Sequence, residues 1–327
     1  MVETPSIIIK AYPRLHVGLV DLGDATLRRY GGAGFMLNDF PVEISLAQGR
    51  HRLTGLQLLD RRGQANILAV LGRIKERFPV RSARITIRLA LPQHVGLGAK
   101  TAITLAILKG CELFSGIKIG MSRLQHLSGR GGVSGVGIHG FFKGGFIVDA
   151  GHKVEYDKGF APSSSQNCSE VPPIASRFRI PKSWRFALFL PRGRRYSGVQ
   201  ELRFFRENTP VPKSEVNDTL ALIHHGLAPA VFTDDIAMVR DVLREIHGLG
   251  FKRRELEGQT GSVRRLLTKI REIPECAGGM SSMGPLIYAV MKKPPEDLLV
   301  ELEGLARKEG ANFIGVCEGR NQGFEVI

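Results

Sequence analysis

A short glycine loop between a β-branched run and a helical run constrains this chain most. Residues 91–106 read Leu-Pro-Gln-His-Val-Gly-Leu-Gly-Ala-Lys-Thr-Ala-Ile-Thr-Leu-Ala. The run Ile85, Thr86, Ile87, Arg88, Leu89 leads in as a strand over 85–90, and Pro92 stops it because proline has no N–H for a sheet ladder. Gly96 and Gly98 bring bare backbone close together, and from Thr101 onward, Ala102 to Leu108, the chain reads as a helix. Strand, glycine loop and helix in succession leave the first helical N–H groups and the positive dipole end facing one point. That point suits a phosphate, and Lys100 adds a formal charge there. A tight turn serving geometry alone is the plainer reading of Gly-x-Gly, and no glycine stands directly before Lys100 as a Walker A loop requires.

The other segments read in order. Ile7–Lys10 is a short strand, and Pro13 to Gly23 alternates as a second, punctuated by Arg14, His16 and Asp21. Those three lie on a wet strand face or in a site. Arg28-Arg29-Tyr30-Gly31-Gly32-Ala33-Gly34-Phe35 reads as a glycine-rich turn, which with Asp21 forms a plausible anion and metal site. Val42–Leu46 and Leu53–Leu59 look like paired strands. Ala65 to Phe78 has helical spacing ended by Pro79, and a helix runs from about Ser122, a candidate N-cap, to Leu127. Residues 129–152 form a second dense glycine block. Its polar members His139, Lys143, Asp149 and His152 are each better read singly as structural.

Pro162-Ser-Ser-Ser-Gln-Asn, Pro172-Pro173 and Pro181 mark 157–183 as a linker or crossover. It separates a domain over 1–156 from a second over 184–327. The second opens on the buried strand Trp184-Arg-Phe-Ala-Leu-Phe-Leu, then the basic loop Pro191-Arg-Gly-Arg-Arg-Tyr-Ser-Gly. Helical patterns follow over 215–225, 234–247 and 261–273. A third glycine-rich turn over 276–290 runs into a strand, and an amphipathic helix (296–309) precedes a closing strand (312–316). Strands and helices in this order suggest α+β.

The formal charge of +15 points to an anionic partner. The basic residues are scattered (Arg14, Arg28, Arg29, Arg61, Arg81, Arg123, Arg130, Arg192, Arg194, Arg195), and no zinc finger, RNP motif or basic zipper is present; nucleic acid is one candidate, and a polyphosphorylated small molecule explains the arginines equally well. Cys111, Cys168, Cys276 and Cys317 are too dispersed for a zinc or disulfide framework. No apolar run reaches the length of a membrane span, and the N-terminus lacks signal-peptide character, so a cytoplasmic protein is expected.

Pro92-Gln-His-Val-Gly-Leu-Gly-Ala-Lys-Thr resembles the phosphate loop of the GHMP kinase superfamily, Pro-x-x-x-Gly-Leu-Gly-Ser-Ser-Ala, with Ala99 and Lys100 in place of the hydroxyl residues. Three blocks narrow the resemblance. They are Arg14-Leu-His-Val-Gly-Leu-Val-Asp-Leu with Arg28 and Gly31-Gly32, then His94-Val-Gly-Leu-Gly with Thr101, then Gly279-Met-Ser-Ser-Met-Gly-Pro with Tyr288. Ser134-Gly-x-Gly and Gly144-Gly-Phe-Ile-Val-Asp-Ala-Gly-His support them. Together, through nearly the whole chain, they resemble the β-ribofuranosylaminobenzene 5′-phosphate synthases, a non-kinase branch of that superfamily.

The resemblance implies a two-domain α+β fold, with an N-terminal domain like ribosomal S5 domain 2 and a ferredoxin-like C-terminal domain. It implies joining of 4-aminobenzoate, or a 4-hydroxybenzoate relative, to phosphoribosyl pyrophosphate, with loss of carbon dioxide and pyrophosphate, toward a methanopterin-type one-carbon cofactor. Mg2+ and a homodimer are expected, with no tightly bound organic cofactor and no membrane partner. In many kinases of the superfamily the Ser-Gly-x-Asp segment carries an acid, but here Gly137 stands in its place, which counts against the alternative of an ATP-dependent small-molecule kinase.

On this reading Asp21 and Arg28 are catalytic. Asp21 binds magnesium or steadies the cationic sugar, and Arg28 clamps pyrophosphate or the benzoate carboxylate. Gly96, Gly98, Lys100 and Thr101 hold phosphate. Ser281 and Ser282 close the site from the second domain, and Arg14, His16, Gly31 and Gly32 complete the binding set.

Overall fold

The computed structural model describes residues 6–89, 92–130, 134–154, 159–162 and 170–327. The first part of the chain runs β1 (Ser6–Ala11), β2 (Arg14–Asp21), β3 (Arg28–Met36), β4 (Val42–Gln48), β5 (Arg52–Thr54), α1 (Arg61–Arg77), β6 (Ala83–Leu89), α2 (Ala99–Ser115), α3 (Met121–Ser128), α4 (Gly135–Lys143), β7 (Phe146–Asp149), β8 (His152–Lys153) and β9 (Ile174–Phe178). It continues with β10 (Trp184–Leu190), α5 (Val199–Asn208), α6 (Lys213–Ala221), α7 (Ala228–Phe232), α8 (Ile236–Ile246), α9 (Gly250–Glu257), α10 (Gly261–Glu272), β11 (Ala277–Met280), β12 (Ile287–Lys292), α11 (Glu296–Lys308), β13 (Asn312–Glu318) and β14 (Glu325–Val326).

Among the described residues three sheets result, ordered β14-β1-β4-β6-β5, β2-β3-β7-β9 with β8 on β3, and β11-β12-β10-β13. The first carries α2 against β1 and β4, with α1, α3 and α4 on the other sides of that helix. Apolar residues therefore surround α2 nearly all round, as the composition of a buried helix requires (Ile103, Leu105, Ile107 and Leu108 are all buried). Leu15, Val17, Phe35, Phe146 and Val148 of the second sheet share one core with Trp184, Phe186, Leu188, Tyr288 and Val290 of the third. Ala187 and Phe189 point the other way, into the core that α10 and α11 supply with Val263, Leu266 and Leu302. A strand buried on both faces explains the apolar run from Phe186 to Leu190 in β10. Among the described residues no helix is long and apolar enough to cross a membrane.

Several expectations need correction. Val42–Leu46 and Leu53–Leu59 do not pair with each other. β4 lies between β1 and β6, and β5 is a short strand parallel to β6. Left-handed Gly55 then turns the chain into a 3₁₀ turn, Leu56–Leu58. α1 starts before Ala65 because Asp60 caps it, accepting from the Gly63 amide at 2.7 Å. Ser122 is not an N-cap: Gly120 occupies that position. The Arg28–Phe35 stretch is a strand rather than a turn. Its glycines serve close packing, since a Cβ on Gly34 would fall 2.2 Å from the Leu15 carbonyl oxygen. The 129–152 block supplies α4 and β7, with 131–133 outside the described residues. Within 157–183, β9 pairs with β7, while Cys168 and the Ser163–Asn167 run lie outside the described residues.

Candidate functional site

The loop before α2 is held open by a buried strut. Ser281 Oγ donates to the Gly96 carbonyl at 2.7 Å and accepts from the His16 amide at 3.0 Å. The Ser282 amide donates to the His16 carbonyl at 2.9 Å. β2, the 92–98 loop and the 280–286 turn therefore meet. Gly96 has φ 109°, and a Cβ there would lie 2.3 Å from the Ser281 carbonyl oxygen. Gly96→Ala is expected to cost about 3 kcal/mol, from backbone strain and overpacking combined, read as a lower urea midpoint at unchanged slope. Lys252 pins the same turn from below. Its Nζ donates to the Met280 and Ser282 carbonyls at 3.1 and 2.9 Å and lies 2.6 Å from Glu255 Oε2.

Three cations gather over the start of α2. Arg14 donates to the Gly96 carbonyl at 2.9 Å, Arg130 Nε to Thr101 Oγ1 at 3.3 Å, and Lys100 lies in the first turn of the helix. Thr101 Oγ1 also lies 2.9 Å from Ser134 Oγ at the head of α4. These residues, with Gly98, Tyr196, Glu201 and Ser282, line a narrow polar cavity. Desolvation, then repulsion from Arg130, pulls the Arg14 pKa down to about 10. Burial lowers Arg130 and Lys100 as well, with Arg130 a further lowering influence on Lys100. Desolvated like charges facing unsatisfied helix N–H groups favour a bound polyanion, which restores what burial removed.

Pro92, Gln93 and His94 form a shared wall between this cavity and a second one, of about 480 Å³. The second adds Leu58, Leu89, Asp60, Arg195 and Ser197. Apolar walls with a few charged groups suit a small aromatic acid. Gln259 ties the basic loop to the site, accepting from the Arg194 amide at 3.0 Å and donating to the Met283 carbonyl at 2.6 Å.

The sequence-predicted residues divide. Arg14, Gly96, Gly98, Lys100, Thr101 and Ser282 line the polar cavity. His16 and Ser281 are buried behind it as supports, and Gly32 lets the His16 imidazole lie against β3. Burial, then Arg14 and Lys252, hold the His16 pKa well below the ordinary value, so its ring is neutral. Gly31 is part of β3.

Asp21 and Arg28 are used elsewhere. The Asp21 carboxylate accepts from the amides of Gly23, Ala25 and Thr26 at 3.0, 3.3 and 2.9 Å, closing the turn after β2. Arg28 donates to the carbonyls of Ala150 and Gly151 at 2.5 and 2.6 Å. The magnesium ion expected on Asp21 does not fit a carboxylate whose two oxygens already serve three amides. Among the described residues no group of three or more His, Cys, Asp and Glu side chains is gathered to hold a metal.

Asp60, His94, Arg130, Tyr196, Arg195 and Glu201 escaped the site prediction. Only the basic composition of 191–197 and the His94 loop motif signalled any of them.

No protein-family model matches the chain. A protein of Methanothermobacter thermautotrophicus named beta-ribofuranosylphenol 5′-phosphate synthase is 32% identical over 98% of this chain and 98% of its own length. One of Archaeoglobus fulgidus with the same name is 30% identical over 96% and 97%. The chain belongs to this synthase family. Among solved structures, homoserine kinase from Cytophaga hutchinsonii superimposes with a TM-score of 0.65 at 15% identity, covering 100% of this chain and 99% of its own. Mevalonate diphosphate decarboxylase from Staphylococcus aureus gives 0.64 at 13%, covering 98% of each. The synthase family member described here thus has the GHMP-kinase fold, α+β in class, and is an enzyme.

Proposed function

We propose that this enzyme condenses a 4-substituted benzoate with phosphoribosyl pyrophosphate, releasing carbon dioxide and pyrophosphate. The observation that carries this reading is the trio Arg14, Lys100 and Arg130 over the open end of α2, joined through Pro92–His94 to an apolar-walled cavity. Polyphosphate belongs at the trio and the aromatic ring beside it. The phenol in the relatives' name puts 4-hydroxybenzoate ahead of 4-aminobenzoate, since a phenolic product keeps the para oxygen.

The ribose C1–oxygen bond breaks with its electron pair going to pyrophosphate, whose charge the three cations and the α2 amides receive. The ring carbon that bears the carboxylate bonds to C1. The bond to the carboxyl carbon then breaks, and its electron pair restores the aromatic ring. Arg14 and Arg130 orient the donor, and the walls of the 480 Å³ cavity hold the ring against C1. A magnesium ion carried in with the diphosphate would neutralise part of its charge beside Arg14, Lys100 and Arg130. A kinase lacks support at its base: Gly137 faces Thr101, at 3.5 Å from where a Cβ would stand.

Purified protein incubated with phosphoribosyl pyrophosphate and carboxyl-labelled 4-hydroxybenzoate is expected to release labelled carbon dioxide only when both are present. ATP should not replace the phosphoribosyl donor. Release from neither benzoate would remove this reading.

A further inference from the structure

We propose that His94, held by Asp60, is the acid–base group of this site, taking the proton of the para hydroxyl as the ring attacks the sugar and returning it as carbon dioxide departs. The proposal rests on the reading above and assigns a residue that the sequence motif marked without a role.

His94 lines both cavities, so its imidazole borders the apolar-walled space that holds the ring. Its φ is 60°, a left-handed backbone that surrounding structure must hold in place. The ring is fixed as well. Nε2 lies 3.1 Å from Asp60 Oδ2, and Asp60 is itself fixed by the Gly63 amide at 2.7 Å, with Lys100 Nζ at 3.9 Å. A carboxylate only accepts, so the partner assigns the hydrogen to Nε2 and the lone pair to Nδ1. Nδ1 has no hydrogen-bond partner among the described residues and is not among the buried orphaned atoms, so it is accessible to solvent. One nitrogen oriented by an acid and the other open is the arrangement of an oriented general base.

The charged groups facing the ring are Asp60, Lys100 and Arg195. Burial and Lys100 outweigh Asp60 and bring the pKa below the ordinary histidine value, which leaves the base neutral at pH 7.

The proton balance closes. As the ring carbon bonds to C1, the para oxygen pushes its electron pair into the ring and its proton passes to Nδ1. A cyclohexadienone and an imidazolium result, and Asp60 steadies the imidazolium. When the carboxyl carbon departs as carbon dioxide, the bond pair restores the ring and the oxygen takes the proton back. No proton is gained or lost overall. A para amino group donates its nitrogen lone pair without giving up a proton, so 4-aminobenzoate bypasses His94.

Turnover of 4-hydroxybenzoate and 4-aminobenzoate by the wild type, His94→Asn and Asp60→Asn tests this. His94→Asn is expected to lose about 10²–10³-fold in kcat on the hydroxy substrate and at least tenfold less on the amino substrate. Asp60→Asn, whose amide oxygen still caps α1, should show the same bias more weakly. The wild-type kcat/KM for 4-hydroxybenzoate should fall as pH drops below 6.5, with no such limb in His94→Asn or with the amino substrate. Equal losses on both substrates, or the acid limb surviving in His94→Asn, would overturn the assignment. The wild-type pH comparison decides even where a variant does not fold. A wild type inactive on both benzoates overturns the functional reading along with it, an outcome distinct from an active wild type whose variants lose both substrates equally.

Discussion

Arg130→Ala is expected to lower kcat/KM for the phosphoribosyl donor by about 10³-fold, mostly through KM. Arg130 is a desolvated guanidinium that reaches Thr101 at the head of α2, beside Arg14. Truncating one partner of a buried charged contact costs about 2–5 kcal/mol, and each 1.4 kcal/mol is tenfold. Arg130→Lys keeps the charge but loses the planar fork that grips two phosphate oxygens, so it should recover only part of the loss. Steady-state kinetics with the donor varied at saturating benzoate would check both variants. An unchanged KM in Arg130→Ala would remove the arginine from the phosphate site.

The second large effect is on stability. Burial pushes the Asp149 carboxyl up to about 7, against the lowering influence of the Gly151 and Val136 amides and of Arg28. A carboxyl whose folded pKa exceeds its unfolded value stabilises the fold while protonated. That contribution is complete below the unfolded value of about 3.9 and is lost as pH rises through about 7. Asp149→Asn keeps an acceptor for the amides and removes the titration. It is therefore expected to raise stability at pH 8 by up to about 4 kcal/mol, with little change at pH 4. Urea unfolding at the two pH values would show it, and an equal effect at both would contradict the assignment of the raised pKa. Because Asp149 abuts Gly135 at the head of α4, the same titration bears on where Ser134 stands.

Elements with a clear apolar period were legible in the sequence. α2, α8, α10, α11 and β10 all announce themselves through spacing, and the strand–loop–helix around Gly98 follows from proline, glycine and helix-forming residues in turn. β3 was hidden because glycines that admit close packing look the same in a sequence as glycines that turn the chain. α5 was hidden because only Phe204 and Phe205 of its ten residues are buried. In the site, Asp21 and Arg28 carry the side chains that ligand binding uses, but a carboxylate closing a turn and a guanidinium gripping carbonyls use the same groups. Distance decides the rest. Arg130 meets Arg14, and Lys252 meets Ser282, across stretches of chain that no local pattern spans.

The pairing of β14 with β1 joins Ile9 and Lys10 to Val326 and Glu325. During synthesis the outer edge of the first sheet therefore waits, with its amides and carbonyls unpaired, until residues more than three hundred positions later have emerged. An open strand edge is a template for another chain, so nascent molecules depend on shielding there until β14 has emerged to cover it.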